Sequence, residues 1–341
     1  MSEVRTIDTA VVGAGYWGRN HVRTFSTLPG SRLTWVCDRD AGRLEEASRM
    51  APAARASTDL EELVADDGLE AVVVATPAST HAGIADRFLE AGKHVLVEKP
   101  MALDIDGARR IHDSAREKGL VLMVGHLMVY HPAMEMLGRM IADGELGDVH
   151  YLYSQRVNLG TARTDENALW CFGPHDLSII HELFPEARPT AVCARGHCYL
   201  RPPVEDVVFM NVAFEGGMMA QVQLSWLDPH KERRMTIVGS RRMVTFDDVS
   251  PSEKIRVFDK GYDHPPEYGS FGEFLTLRDG DVWAPKVPFA EPLKLEAEHF
   301  LDCVRTDATP RTDGEEGLWI VRLLVAAQRS MERGGEPVEL K

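Results

Sequence analysis

Cysteine is sparse in this chain: five residues in 341, with no CxxC pair among them. The number is odd and the spacing irregular, which excludes a disulfide framework and a zinc site of the usual ligand spacing. Cys37, Cys171, Cys193, Cys198 and Cys303 therefore read as reduced thiols, with Cys193 and Cys198 as buried strand residues, and no metal is expected. Long apolar runs are also missing. None approaches the ~20 residues needed to cross a bilayer. Basic clusters are missing too. A formal net charge of −15 and the lack of any polybasic run argue against a nucleic-acid or anionic-membrane partner. The segment from Met1 to Asp8 is polar and carries no apolar signal core, so a cytoplasmic location is expected. Internal repeats, low-complexity tracts and long linkers are likewise not found.

What is present is the composition of an ordinary globular protein, 44% apolar and 27% charged. The chain is too long for one typical core, so two domains are expected.

The first half alternates short apolar strands with helices. Thr9 to Val12 reads as a buried strand and runs into Gly13-Ala14-Gly15-Tyr16-Trp17-Gly18, a GxGxxG turn. A helix follows through Asn20, Val22, Phe25 and Leu28, and Pro29-Gly30 ends it. In such a turn Gly13 permits the tight bend, Gly15 lets the backbone approach a pyrophosphate, and Gly18 lets the helix pack closely on the strand. The helix N-terminus then offers its free N–H groups and dipole to the phosphates. The next strand, Leu33 to Cys37, ends in Asp38, where a carboxylate for the ribose hydroxyls is expected. Strand, glycine turn, helix, strand and acid together predict a dinucleotide site. Asp38 favours NAD, because a carboxylate repels the extra phosphate of NADP, although Arg39 beside it could pair with that phosphate.

Asp40 and Asp59 read as caps of two further helices. Ala71 to Ala75 is a strand buried on both faces, ending in the hydroxyl-rich turn Thr76-Pro77-Ala78-Ser79-Thr80-His81, which would sit over a cofactor. A helix from Ala82 to Ala91 stops at Gly92. The strand His94-Val95-Leu96-Val97 then delivers Glu98 and Lys99 to its carboxyl end, where open parallel sheets bind ligands. Pro100 removes a backbone donor and ends the strand. Its bond to Lys99 could also be cis. A helix from Ile105 to Lys118 and a strand from Val121 to Val124 complete a doubly wound parallel sheet.

After Val124 the pattern changes. A helix is predicted from Pro132 to Ile141, then a turn at Gly144-Glu145-Leu146-Gly147. Strand-like runs follow at Val149 to Val157, Thr190 to Leu200, Val207 to Phe214, Met218 to Ser225, Met235 to Gly239, Met243 to Phe246 and Ile255 to Phe258. Consecutive strands with few helices between them predict a mostly antiparallel sheet. Helices from Leu293 to Val304 and from Gly314 to Met331 end the chain, and Pro337 to Leu340 could return as a short strand. The division expected is 1–124 for dinucleotide binding and 125–341 for substrate binding and oligomerisation.

The glycine turn, Ala75-Thr76-Pro77, His81 and the run Ala91-Gly92-Lys93-His94-Val95-Leu96-Val97-Glu98-Lys99-Pro100 together resemble the Gfo/Idh/MocA oxidoreductases, the glucose–fructose oxidoreductase and inositol dehydrogenase family. The resemblance spans essentially the whole chain. It implies an α/β protein, with an N-terminal Rossmann domain followed by an α/β domain whose open, mostly antiparallel sheet makes subunit contacts. A homodimer or homotetramer is therefore implied. The lysine of Glu-Lys-Pro is catalytic in the family and matches Lys99. The family's catalytic histidine matches His175. The cofactor would be held by the glycine turn, including Tyr16 and Trp17, and by Asp38, Arg39, Thr76, Pro77, His81, Glu98 and Lys99.

The polar segment from Arg156 to Asp176 reads as a loop that runs into a helix starting near His175. Such loops on rigid scaffolds commonly carry binding groups. Arg156, Asn158, Arg163, Asn167, Cys171 and His175 are its candidate substrate contacts, together with Lys99. Solvated charge is the alternative for the two arginines, and turn formation for the two asparagines. Cys171 stands where many family members have Asp, so no carboxylate base is assigned there. Asp176 would either orient the imidazole or cap the helix, and capping is the reading adopted. His126, Tyr130 and His131 could line the cleft or simply pack.

The Arg156-to-Trp170 pattern is similar to a narrower subset, the UDP-N-acetylhexosamine or hexuronate 3-dehydrogenases. Deoxysugar ketoreductases look similar. The reaction implied is reversible hydride transfer between nicotinamide and a sugar carbinol carbon. His175 would act as base and Lys99 would stabilise the alkoxide. A free sugar or cyclitol is the alternative substrate. A non-catalytic NAD(P)-sensing regulator is the alternative class, and retention of Lys99 and His175 argues against it.

Overall fold

The computed structural model describes residues 5–160, 163, 166–263 and 276–340. The chain forms two compact units. The first contains Met1–His131 and Ala290–Val325; the second contains Pro132–Phe289 and Ala326–Lys341. This differs from a single cut at 124: the chain returns to the first unit for 36 residues near its end.

In the first unit the order is β1 (Ile7–Val12), α1 (Gly18–Thr27), β2 (Ser31–Cys37), α2 (Ala41–Met50), β3 (Arg55–Ser57), α3 (Leu60–Val64), β4 (Ala71–Val74), α4 (His81–Glu90), β5 (His94–Glu98), α5 (Ile105–Lys118) and β6 (Leu122–Gly125). The strands form one parallel sheet ordered β3-β2-β1-β4-β5-β6. Strand order reverses between β1 and β4, and the glycine turn and the Thr76 turn leave the two strands that flank this switch point. That is where doubly wound sheets bind ligands. Helix starts agree with the predicted caps. Asp40 accepts from the N–H groups of Gly42 and Arg43, and Asp59 accepts from that of Glu61.

Alternate strand residues feed two cores, one on each face of the sheet. Val11, Val36, Leu96 and Met123 pack with Val22 and Phe25 of α1 and with Phe300, Leu301 and Val304 of α8 (Pro292–Thr306). Ala10, Val72, Val74, Val95 and Val97 pack with Phe88, Leu89, Ile111 and Val321, the last on α9 (Gly314–Glu332). Helices α8 and α9 thus bury apolar stripes on the nucleotide-binding sheet, which is why the first unit extends beyond its predicted end.

The second unit is built on a nine-stranded sheet ordered β14-β13-β12-β11-β7-β10-β9-β8-β15. Its helices are α6 (Pro132–Ala142) and α7 (Ala168–Leu183). Its strands are β7 (Val149–Val157), β8 (Pro189–His197), β9 (Val207–Phe214), β10 (Met219–Ser225), β11 (Glu232–Gly239), β12 (Met243–Asp247), β13 (Ile255–Asp263), β14 (Thr276–Trp283) and β15 (Val338–Glu339). Among the described residues its strand pairings are antiparallel except β7 with β10, which is parallel. Strand β14 escapes the sequence reading, because Thr-Leu-Arg-Asp-Gly-Asp-Val-Trp has no apolar alternation.

Three local expectations are corrected. Helix α7 begins at Ala168 rather than near His175, because Asn167 caps it: its side chain accepts from Trp170 N–H at 3.1 Å. The helix continues through Pro174, where a sequence reads as a break. Asp176 is not a cap. It lies inside α7, 3% exposed, and pairs with Arg156. Cys193 and Cys198 are half-buried, and Cys198 lies just beyond β8.

Candidate active site

The glycine turn has the geometry of a phosphate cradle. Gly13 adopts φ +95°, and a Cβ there would come within 2.5 Å of the Ala75 carbonyl oxygen. A Cβ on Gly18 would stand 1.8 Å from the Gly13 carbonyl oxygen, so the helix packs against the strand only with glycine present. At Gly15 a Cβ would meet nothing nearer than Arg43 Nη1 at 3.7 Å. The backbone is therefore open there to a ligand. No side chain caps the N-terminus of α1, and its first turn carries no acid. These features fit a dinucleotide pyrophosphate.

Asp38 lies at the end of β2, 9% exposed. Its Oδ2 accepts from Ala14 N–H at 2.7 Å and its Oδ1 from Asp40 N–H at 2.9 Å. Asp38 thus braces the turn, while a carboxylate keeps further acceptor sites for ribose hydroxyls. Arg39 is exposed. Arg43 places Nη1 3.7 Å from Asp38 Oδ2, a neighbour the sequence reading missed.

At the next strand ends, Thr76 Oγ1 and Thr80 Oγ1 hydrogen-bond at 2.7 Å, and Pro77 is exposed. His81 is buried. Its Nδ1 lies 2.8 Å from the Pro100 carbonyl oxygen and its Nε2 lies 2.8 Å from that of Thr76. Burial lowers its pKa, and a neutral ring donates to only one of the two carbonyls at a time. His81 therefore ties two turns together instead of presenting a free nitrogen. Lys99 is half-buried at the carboxyl end of β5, and its bond to Pro100 is cis.

Glu98 is buried, and both of its oxygens are used. Oε1 accepts from His21 Nε2 at 2.8 Å and from Trp17 Nε1; Oε2 accepts from Lys99 N–H at 3.1 Å. Burial opposes its charge, but the hydrogen bond and charge of His21, the charge of Lys99 and the Trp17 bond prevail, so its pKa is lowered. Glu296 of α8 is 1% exposed, and burial, then the charge of Glu98, push its pKa well above the carboxylate range. His126, just after β6, has its Nδ1 2.6 Å from Glu316 Oε2, and both residues are buried. Tyr130 is buried against Thr312, and burial raises its pKa well above the usual value.

In the second unit, Cys171 and His175 stand four residues apart on α7 and share one helix face. Cys171 is 6% exposed and His175 is half-buried. Arg156 is buried, with Nε 2.7 Å from Asp176 Oδ2, so its guanidinium serves the interior. Arg163 is exposed and pairs with Glu166. Asn158 follows β7, half-buried, and its amide lies against Gly160, where a Cβ would come within 2.2 Å of Nδ2. Asn167 caps α7 and donates to Glu205 Oε2 at 2.7 Å and Gln328 Oε1 at 3.0 Å. Of the six polar-segment candidates, the structure brings Cys171 and His175 together on one face. It gives Arg156 and Asn167 structural partners. Asp165 of the same motif lies outside the described residues.

The sequence reading missed His21, Arg43, Glu296 and Glu316. His21 and Glu296 lie on otherwise apolar helix faces, beside Val22 and Phe25 in one case and Leu293, Ala297 and Phe300 in the other. A charged or titratable residue in an apolar stripe was the available signal.

Two family models match the chain: the Gfo/Idh/MocA oxidoreductase family, NAD-binding Rossmann fold, over residues 7–126, and the Gfo/Idh/MocA C-terminal domain over residues 134–245. The chain is 26% identical to scyllo-inositol 2-dehydrogenase (NAD(+)) of Bacillus subtilis (strain 168), over 97% of this chain and 95% of that one. It is 29% identical to UDP-N-acetylglucosamine 3-dehydrogenase of Acidithiobacillus ferrooxidans, over 94% of each. Among solved structures, GenD2 from gentamicin A biosynthesis in complex with NAD superposes with a TM-score of 0.83 at 27% identity, covering 100% of this chain and 98% of that one. With both family domains matched in order, and with the glycine turn, Asp38 and Glu98-Lys99-Pro100 in place, the chain belongs to the Gfo/Idh/MocA family of NAD-dependent oxidoreductases.

Proposed function

We propose that this chain is an NAD-dependent dehydrogenase acting on a CH–OH carbon of a sugar, with a nucleotide-linked sugar as the favoured substrate. The observation that carries the reading is the placement of Lys99 at the carboxyl end of β5, one strand from the switch point that the glycine turn flanks. Bound NAD would accept or return hydride at the nicotinamide ring. Lys99, as a cation, stabilises the alkoxide that develops as the hydroxyl loses its proton. His175 takes that proton and, in the reverse direction, returns it. Cys171 supplies no carboxylate beside it, so the proton chemistry of α7 falls to the imidazole.

The nucleotide-sugar reading draws on the Arg156-to-Trp170 pattern and on the Acidithiobacillus relative. A second reading, a free sugar or inositol, has an observation of its own: the Arg156 charge is matched by Asp176 in the interior and is not offered to an anionic substrate. It is also supported by the Bacillus relative. Following NADH and NADPH absorbance with parallel panels of UDP-hexoses, UDP-hexuronates, free sugars and inositols separates the two. Turnover confined to nucleotide sugars supports the first reading, and turnover of free polyols replaces it with the second. Failure in both oxidation and ketosugar reduction would overturn the dehydrogenase reading itself.

A homo-oligomer in the cytoplasm completes the proposal. Tyr151, Tyr153, Phe209 and Met219 are exposed on neighbouring strands β7, β9 and β10, on the face a second copy would cover. Five free cysteines suit a reducing compartment. No helix among the described residues is long and apolar enough to cross a membrane. Light scattering of the purified protein tests the oligomer.

A further inference from the structure

Glu98 holds the glycine turn, helix α1 and the reactive strand end at once. Trp17, from the turn, donates Nε1 to Oε1; His21, from α1, donates Nε2 to the same oxygen at 2.8 Å. Oε2 folds back onto the N–H of Lys99 at 3.1 Å. On the far side of Lys99, the Pro100 carbonyl oxygen lies 2.8 Å from His81 Nδ1. The main chain that carries Lys99 is therefore tied both before and after the lysine.

The surroundings are shaped for this carboxylate. Glu98 pairs in register with Gly125 of β6, and a Cβ at Gly125 would stand 3.1–3.2 Å from the carboxyl atoms. Only glycine leaves the carboxylate ordinary contact distances there. Trp17 and His21 meet edge to face, with ring centroids 6.3 Å apart at 87°, so the two donors brace each other. The glutamate is 7% exposed and the histidine is fully buried.

We propose that Glu98 is the positioning residue of Lys99, clamped by His21 and Trp17, and that it transmits the shape of the glycine turn to the lysine. This rests on Lys99 being the reactive lysine. The carboxylate acts through Lys99 and does not hold the cofactor: both of its oxygens face donors of its own unit. Emptying or distorting the turn loosens Trp17, and through Glu98 it loosens the direction in which the Lys99 side chain leaves the strand. A displacement of about 1 Å at a reacting group costs about 100-fold in rate, so modest loosening is enough to be read.

The test compares Trp17→Phe, His21→Gln, His21→Leu and Glu98→Gln with Lys99→Met. NAD dissociation constants come from fluorescence titration, and kcat from the substrate panel at saturating NAD. In parallel, acetic anhydride labelling of each lysine is quantified by peptide mass spectrometry, which needs no substrate. The expected result is a fall in kcat of about tenfold or more for Glu98→Gln and His21→Leu, with NAD affinity changed far less. His21→Gln, which keeps a nitrogen donor, recovers part of the loss. Labelling changes at Lys99 and not at Lys118. Trp17→Phe, which keeps an aromatic side chain and removes the donor, carries the same test if a buried variant fails to fold. Weaker NAD binding with normal kcat would make Glu98 a cofactor ligand and overturn the proposal. Unchanged kcat and unchanged Lys99 labelling, with Lys99→Met inactive, would overturn it while sparing the lysine. Full turnover by Lys99→Met would overturn the reading of Lys99 and the proposal with it.

Discussion

Arg156 of β7 and Asp176 of α7 form a buried ion pair, with Nε 2.7 Å from Oδ2 and Nη2 3.4 Å from Oδ1, and the pair fixes α7 at the residue next to His175. Their side chains are 5% and 4% exposed. Removing one partner leaves a buried charge uncompensated, which costs about 3–5 kcal/mol. Arg156→Met and Asp176→Leu should each lower the urea midpoint accordingly. The double variant Arg156→Met, Asp176→Leu should recover most of the loss. Additive losses in the double variant would show that the two charges do not act as a pair.

Lys99→Met should abolish measurable turnover while leaving NAD binding in place, since the glycine turn and Asp38 do not depend on the ammonium. His175→Asn should slow turnover by about 100-fold or more, the scale of general acid–base catalysis, and should flatten the pH–rate profile. An unchanged profile would exclude His175 as the titrating base.

Glu98 and Glu296 give the first unit opposite responses to pH. The folded pKa of Glu98 is lowered, so its stability contribution is present above the unfolded carboxylate value and is lost as pH falls through the folded one. The folded pKa of Glu296 is raised, so its contribution is complete below the unfolded value of about 4.3 and is lost as pH rises through the folded one. Glu296→Gln should therefore raise Tm at neutral pH, and the gain should shrink towards pH ~4. A gain that is constant from neutral to acid pH would contradict a raised pKa at Glu296.

Burial pushes the thiols of Cys37 and Cys303 up to about 11. At pH ~8 both are protonated and enclosed, and thiolate is the reactive form. A chromogenic disulfide reagent should label the half-buried Cys193 and Cys198 first, and Cys37 and Cys303 only after unfolding. Rapid labelling of Cys37 in the native protein would contradict its burial at the end of β2.

Much of the first unit was legible in the chain itself. Strand Ala71–Val74 announces itself as a continuous apolar run, and helices α2 and α3 announce themselves by their caps, Asp40 and Asp59. The glycine turn was legible because each glycine answers a local steric demand, at Gly13 and Gly18 most clearly. Lys99 was legible because a strand that stops at Pro100 has only one place to put the preceding residue.

The rest depended on partners that no local pattern names. Arg156 and Asn167 looked like loop groups, and folding turned one into an interior ion and the other into a helix cap. His21 and Glu98 are 77 residues apart, and His126 and Glu316 are 190 apart. Helices α8 and α9 were readable as helices, but not the sheet they would cover. The sequence by itself determined most of the first unit's secondary structure, the dinucleotide turn and the reactive strand end, because these follow from sterics and periodicity within a few residues. Only the tertiary structure decided which charges are interior, which carboxyl has its pKa raised by burial and what holds Lys99, because desolvation and pairing are set by neighbours distant in the chain.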